Sequence, residues 1–148
     1  MSELADHVGF WMRAVSNAVS HSFADRLEAT GVTVAEWVVL REMYGSEEST
    51  SPSAVAESTG LTRGAISKLV DRLLQKKLVT RAEATDDRRF QEIRLSAAAL
   101  SLVPRLAEIA DENDEDFFGV LTSAERAQLT ALLRKLARSH DLRRAPTE

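Results

Sequence analysis

The 148 residues carry 19 Lys+Arg against 23 Asp+Glu and no cysteine, with 44% hydrophobic and 28% charged side chains. That length suits one domain, or one small domain with extra arms, and the apolar fraction suffices for a core, which excludes disorder over most of the chain. The composition also excludes a disulfide framework, a thiolate metal site and a thiol redox switch, and no apolar run approaches the ~20 residues that cross a bilayer.

Six Gly and three Pro imply few tight turns and a mostly helical protein. Met1 to His7 has no basic run before an apolar stretch, so no signal peptide is expected and a cytoplasmic location is the default. From Leu4 to Ala29, the residues Leu4, Val8, Trp11, Met12, Val15, Val19, Phe23 and Leu27 recur at steps of three and four, which predicts a helix with Gly31 as its C-terminal cap. Thr33-Val-Ala-Glu36 is a capping-box signature that opens a second helix through Trp37, Leu40 and Met43, ended by Gly45 and a polar run to Ser51. Ser51-Pro52 opens a short third helix closed by Gly60, and Thr62 caps a fourth running to about Lys77.

The period then changes. Val79 to Ala84 and Gln91 to Leu95 read as two strands, with the charged run Thr85 to Phe90 as the hairpin tip. Ser96 caps a long helix with Leu100, Val103, Leu106, Ile109 and Phe117 at helical spacing. Thr122-Ser-Ala-Glu125 is a second capping box, opening a last helix through Leu129, Leu132, Leu133 and Leu136. The expected fold is mainly α with a small β-hairpin wing: a winged helix-turn-helix over residues 32–95. Long helices flank it, and residues 1–31 and 96–148 form a helical dimerisation region.

Net charge is -4, yet it is unevenly spread. Residues 1–60 balance at -6, residues 61–94 at +4 and residues 95–148 at -2. A basic segment between acidic flanks is the pattern of a compact electrostatic footprint for nucleic acid, and ordinary solvated surface charge fits the same balance equally well. At about 100° per residue, the fourth helix groups Ile66, Leu69, Val70 and Leu73 on one face. Gly64, Lys68, Asp71, Arg72 and Gln75 point away from it, with Arg63 and Ser67 on the flanks. Small Gly64 and Ala65 would let the helix N-terminus approach a groove floor, where free N–H groups favour phosphate. Arg63 and Lys68 offer donors to guanine edges, and Ser67 suits base or phosphate. A solvated amphipathic helix fits the same pattern. Arg88 and Arg89 at the hairpin tip suit a minor groove, with Asp86 or Asp87 pairing one of them to fix the tip; which Arg is left free stays open, and an idle charged turn is the plainer reading.

These residues carry a resemblance. Val32 to Leu40, Ala54 to Leu61, Ser67-Lys-Leu-Val-Asp-Arg-Leu73, Leu78-Val-Thr-Arg81, Asp87-Arg-Arg89 and Ile93-Arg-Leu-Ser96 follow one another as in the MarR family of bacterial transcriptional regulators, which this stretch resembles over nearly half the chain. The resemblance implies a homodimeric repressor binding an inverted repeat in double-stranded DNA and released by a small molecule. Its DNA contacts would be drawn from Ser51, Ser53, Thr62, Arg63, Gly64, Ala65, Ser67, Lys68, Arg72, Arg88 and Arg89. Two positions depart from the family pattern. Lys77 stands where Gly is usual, so either the cap differs or Lys77 accepts strain of roughly 1 kcal/mol. Ser96-Ala-Ala-Ala99 replaces the usual start of the long helix.

The first helix and the last two carry apolar stripes with only each other to cover them, which favours a second copy; core packing within one chain fits the same stripes, and it is the resemblance that tips the reading to the dimer. Trp11, His21 and Trp37 are candidate walls of a pocket for a small aromatic acid, with Arg41 to hold its carboxylate; a Trp at helical spacing also fits plain core packing. No nucleophile motif, P-loop or dinucleotide fingerprint is present, so an enzyme is not expected. His7 and His21 lie about 21 Å apart along one helix, and Asp111 to Asp116 lacks the glycine and closing glutamate of a calcium loop, so neither a metal site nor a cofactor is expected. The alternative is a winged-helix protein-interaction module without DNA binding, against which the basic segment at 61–94 speaks.

Overall fold

The computed structural model describes residues 1–46, 49–83 and 91–142. Helix α1 is Val8–Glu28, shorter at its start than the apolar spacing implies. His7 is extended (φ -91°, ψ 123°), and before it Leu4–Asp6 forms a separate 3-10 turn. The Trp11 indole Nε1 donates to the Ala5 carbonyl at 2.8 Å, holding that turn against the helix. Beyond α1 the chain turns at Gly31, whose φ of 73° is the left-handed conformation that glycine adopts without a Cβ clash.

Helix α2, Val34–Tyr44, opens with the expected reciprocal cap. Glu36 N donates to Thr33 Oγ1 at 3.2 Å and Thr33 N donates to Glu36 Oε2 at 3.1 Å. Ser51 caps α3, Pro52–Thr59, with Pro52 in its first turn. Gly60, at φ 71°, makes the turn into α4, Arg63–Gln75, whose N-cap is Thr62. Helix α4 ends in a left-handed residue that is not glycine: Lys77 has φ 60°. Lys77 N donates to Leu74 O at 3.0 Å and Leu78 N to Leu73 O at 2.9 Å, the paired bonds of a Schellman cap. Buried Leu73 and Leu78 supply the apolar contact that usually accompanies it. Lys77 therefore accepts the strain, because the helix must turn here to send Leu78 and Val79 back into the core.

Strands β1, Val79–Glu83, and β2, Gln91–Leu95, pair antiparallel with Val79 opposite Leu95 and Arg81 opposite Ile93. A feature absent from the sequence expectation lies at the outer edge of β2. Thr50, in the polar stretch before α3, exchanges both backbone bonds with Ile93, at 3.0 and 2.8 Å.

Helix α5, Ala97–Phe118, is capped by Ser96, so the alanine-rich departure from the family pattern leaves its start intact. Its buried stripe is Ala99, Val103, Leu106 and Asn113. Leu100, expected on that stripe, is 52% exposed; the helix is phased by Ala99, one residue earlier, which packs flat where the larger Leu100 would not. Helix α6, Ser123–Ser139, opens with the second capping box, Thr122 with Glu125. The hydrogen bonds from the Thr122 backbone, then from its hydroxyl, hold the Glu125 carboxyl below its ordinary value. This cap is intact at neutral pH and is lost as acid carries the pH through that lowered value.

The core lies where α2, α3 and α4 meet β2, with α5 laid across α1 and α2. Ile66, Leu69, Val70 and Leu73 enter it from α4 as expected, beside Val39, Leu40, Val55, Ile93 and Val103. Helices α1 and α5 are registered by polar contacts: Ser22 Oγ donates to buried Asn113 Oδ1 at 2.7 Å, Asn113 Nδ2 donates to the Val19 carbonyl, and Arg26 meets Asp116 at 2.7 Å. Helix α6 buries no residue and is tied to α5 by Arg126 on Glu115, 2.7 Å apart. Among the described residues no helix is long and apolar enough to cross a membrane.

Replacing Lys77 by Gly relieves the left-handed strain but adds freedom to the unfolded chain, so the net gain is about 0.5–1 kcal/mol. Thermal melting of Lys77→Gly should move up by a few degrees; a midpoint lowered by a few degrees would show that Lys77 carries no strain, since glycine would then add only freedom to the unfolded chain.

Candidate nucleic-acid interface

Helix α4 is amphipathic because its apolar stripe is wholly used by the core. Ile66, Leu69, Val70 and Leu73 are buried, and this fixes the rotation of the helix about its axis. Arg63, Gly64, Ser67, Lys68, Asp71 and Arg72 then stand exposed on the opposite side, with Ala65 half-buried between the faces. A side chain placed at Gly64 would point into open space. Among the described residues no neighbour requires a glycine there, whereas an approaching ligand surface would.

The cations of the segment divide by what holds them. Lys76 is bonded to Glu36, and Arg81 reaches Asp71 at 3.4 Å from the inner face of β1. Arg94 lies 3.8 Å from Glu92 on the outer face of β2. Among the described residues, no carboxylate lies within ion-pair distance of Arg63, Lys68 or Arg72, nor of Lys77 just past the end of α4. The first three leave their charge to solvent along one exposed helix face. At the near end, Thr62 Oγ1 accepts from Ala65 N at 3.1 Å, which leaves the hydroxyl proton free to donate outward. Ser51 does the same at the start of α3 for Ala54 N, while Ser53 is exposed one step into that helix. Two helix starts therefore accompany these α4 cations, each with a capping hydroxyl: α4 leaves the N–H groups of Arg63 and Gly64 open, and α3, which begins with Pro52, leaves that of Ser53, a combination suited to phosphate and base edges. Arg88 and Arg89, with Asp86 and Asp87, lie outside the described residues.

The residues expected around a small-molecule pocket are spread more widely. Trp37 is half-buried where α2 meets α1, its ring edge-on to Phe23 with centroids 6.5 Å apart. Arg41 is exposed one turn further along α2. His21 lines a shallow hollow on α1 with Asn17 and Asp25, its Nε2 3.7 Å from the Asp25 carboxylate. Trp11 lies 55% exposed about 15 Å from His21 along α1, edge-on to Phe10 at 5.3 Å. The cavity of about 140 Å³ at the base of the hairpin, between Met43, Tyr44, Thr50, Ile93 and Leu100, takes none of the four. It owes its outer wall to the Thr50–Ile93 pairing, which no side-chain pattern announces.

Comparison with known proteins agrees with this geometry. Residues 30–89 match the model of the MarR family. A Thauera aromatica protein assigned as transcriptional regulator of the hcr operon is 29% identical over 136 residues, 91% of this chain and 81% of that protein. The fold is similar to that of Bordetella bronchiseptica BpsR, a protein whose DNA binding 6-hydroxynicotinic acid regulates, with a TM-score of 0.81 and 24% identity over 92% of this chain and 98% of that one. It is similar also to S. aureus MepR solved in complex with DNA, again with a TM-score of 0.81 and 24% identity, over 90% of this chain and 98% of that one. With a helix-turn-helix, a hairpin and flanking helices in the same order, the chain is similar to the MarR family of winged helix-turn-helix transcriptional regulators, whose model it matches over residues 30–89.

Proposed function

We propose that the protein is a homodimeric repressor that binds an inverted-repeat operator through α4 and the hairpin tip and leaves it when a small aromatic acid binds. The observation that carries this reading is the exposed face of α4, where Arg63, Lys68 and Arg72 have no carboxylate partner among the described residues and the small Gly64 opens the helix start. Each of two copies lays α4 in a major groove, the two grooves about one DNA turn, roughly 34 Å, apart. Ser51, Ser53 and Thr62 hold the flanking phosphates, Arg63, Ser67 and Lys68 face base edges, and Arg72 holds the backbone; Arg88 and Arg89 take the minor groove. A partner of this kind places the protein in the cytoplasm. The DNA-bound MepR fold supports the docking mode, and BpsR supports a ring carrying a carboxylate as the effector class. For that effector, the half-buried Trp37 and Phe23 offer the aromatic wall, with His21 and Arg41 at its edge.

The second copy covers the apolar side chains that α1 and α6 leave bare, among them Val8, Trp11, Met12, Val15, Leu132, Leu133 and Leu136. Residues 1–31 and 96–148 then form the dimerisation region on either side of a reading domain at 32–95.

Selection of random duplexes by the purified protein should enrich an inverted repeat with half-sites about one turn apart. Titrated across salt concentrations on that duplex, Arg72→Ala should flatten the slope of log affinity against log salt by about one unit. Gly64→Ala should leave the fold as stable or firmer by about 0.5 kcal/mol while weakening binding at least tenfold; equal affinity would mean that the backbone there does not approach the DNA. Carboxylates introduced in Leu132→Glu with Leu136→Glu should convert the dimer to monomer in sedimentation, and a monomeric native protein would remove the dimer. Benzoate-type acids should quench Trp37 fluorescence and release the duplex, with Arg41→Ala weakening both effects in parallel; release without any change in Arg41→Ala would place the carboxylate elsewhere.

A further inference from the structure

Lys76 stands at the far end of α4 from the proposed DNA contacts, and it is held as no other cation of that helix is. Its ammonium donates to Glu36 Oε2 at 2.7 Å, to Glu36 Oε1 at 3.0 Å and to the carbonyl of Gly31 at 2.6 Å. Glu36 is 1% exposed, and its carboxylate also receives the backbone N–H of Thr33. Four donated bonds thus gather three separate pieces of chain: the left-handed corner after α1, the first turn of α2 and the last turn of α4. The corner leads directly to α1, the helix with the bare apolar stripe. We infer that the Lys76–Glu36–Gly31 junction sets the angle between α4 and the α1–α2 corner, and through it the half-site spacing that the protein accepts. The inference rests on the dimeric DNA-binding reading.

The apolar stripe of α4 does not fix that angle by itself. Hydrophobic contact is non-directional, so Ile66, Leu69, Val70 and Leu73 define which face is buried more sharply than the tilt of the axis. An ammonium on three oxygens from two other elements does define it: the Glu36 carboxylate is buried while Lys76 reaches it from the surface, with 38% of its side chain exposed, and specifying one arrangement is a known use of an ion pair with a buried member. Leverage makes a small tilt matter. From Lys76 to Arg63 the helix is about 20 Å long, so a swing of about 10° pivoting at Lys76 moves the reading end by about 3.5 Å, the rise of one base pair. The adjacent left-handed Lys77 reinforces the point, because the chain leaves α4 at a fixed angle immediately after the junction.

The test uses the duplex recovered by selection, rebuilt with the half-sites moved apart or together by one and two base pairs, together with a duplex carrying one half-site. The variant is Glu36→Gln with Lys76→Met, which removes both charges and keeps an acceptor for Thr33 N. Native protein is expected to prefer one spacing by at least about tenfold, the equivalent of ~1.4 kcal/mol. The double variant is expected to bind the spacings within about threefold of one another and to keep its affinity for the single half-site. Loss of stability alone lowers the folded fraction and multiplies every dissociation constant alike, so it leaves the ratio between spacings unmoved. If the double variant does not fold, Lys76→Gln carries the test: it retains a donor for the Gly31 carbonyl, drops the charge and should lose part of the discrimination. Native discrimination in either folded variant would overturn the inference while leaving the regulator intact. Native protein that selects no inverted repeat would overturn the dimeric reading itself, and the inference with it.

Discussion

The burial of one face of α4 is the constraint on which the rest of the structure depends. Four apolar side chains at positions 66, 69, 70 and 73 are buried, three of them completely, and each is worth about 1.5–3 kcal/mol when fully buried. Rotating the helix by even one residue, about 100°, would forfeit most of that and bring Lys68 or Arg72 toward the core at a cost no nearby carboxylate offsets. The apolar residues thus decide where the cations point. The short α3 and the turn at Gly60 exist in this light to place Leu61 and the Thr62 cap so that α4 begins in solvent with its first N–H groups open.

The basic segment is less uniform than its +4 balance suggests. Lys76 and Arg81 are spent on holding α4 at its end and β1 against α4, and both are matched by carboxylates. Arg63, Lys68 and Arg72 are not matched among the described residues. Charge counted along the chain cannot make this separation, since Glu36 lies 40 residues from Lys76 and its burial follows from the capping box of α2, not from the local composition. The free cations also sit on a rigid helix rather than a loop, so a bound phosphate lattice would meet them already positioned and little ordering entropy would be lost.

What the sequence makes readable is what acts over three or four residues. The capping boxes at Thr33 and Thr122, the serine caps at Ser51 and Ser96, the left-handed turns at Gly31 and Gly60 and the buried stripe of α4 all follow from local bonds and period. The features that escaped are made by backbone or by distant partners. The Thr50–Ile93 pairing consists of N–H and C=O groups that every residue carries, so no side-chain pattern announces it. The early end of α1 is set by the Trp11 bond to Ala5 and an extended His7. On α5 the buried face runs through Ala99, Val103 and Leu106 and leaves Leu100 half exposed, a phase that ranking residues by hydrophobicity misses because it passes over the small Ala99. In the candidate interface the α4 residues could be placed from periodicity, whereas sorting its cations needed the ion pairs.

The bare stripes of α1 and α6 decide how the proposed assembly would hold together. Along α1 burial rises steadily: Val8, Trp11, Met12 and Val15 are exposed, Val19 and Phe23 half-buried, and Leu27 fully buried. The helix is anchored in its own chain at its C-terminal end and unmatched at its N-terminal end. Helix α6 presents Leu132, Leu133 and Leu136 in the same condition and buries nothing. Seven such side chains on each of two copies, half-covered at about 1 kcal/mol apiece, supply on the order of 14 kcal/mol, comparable to the 4–15 kcal/mol that association costs in lost motion. Partial cover would therefore leave a weak, exchanging dimer, and a stable one needs these residues interleaved deeply. Helix α6 buries no residue in its own chain and is held to α5 by Arg126, on the Glu115 carboxylate and the Asp114 carbonyl, so the stripe of Leu132, Leu133 and Leu136 is left whole for such packing.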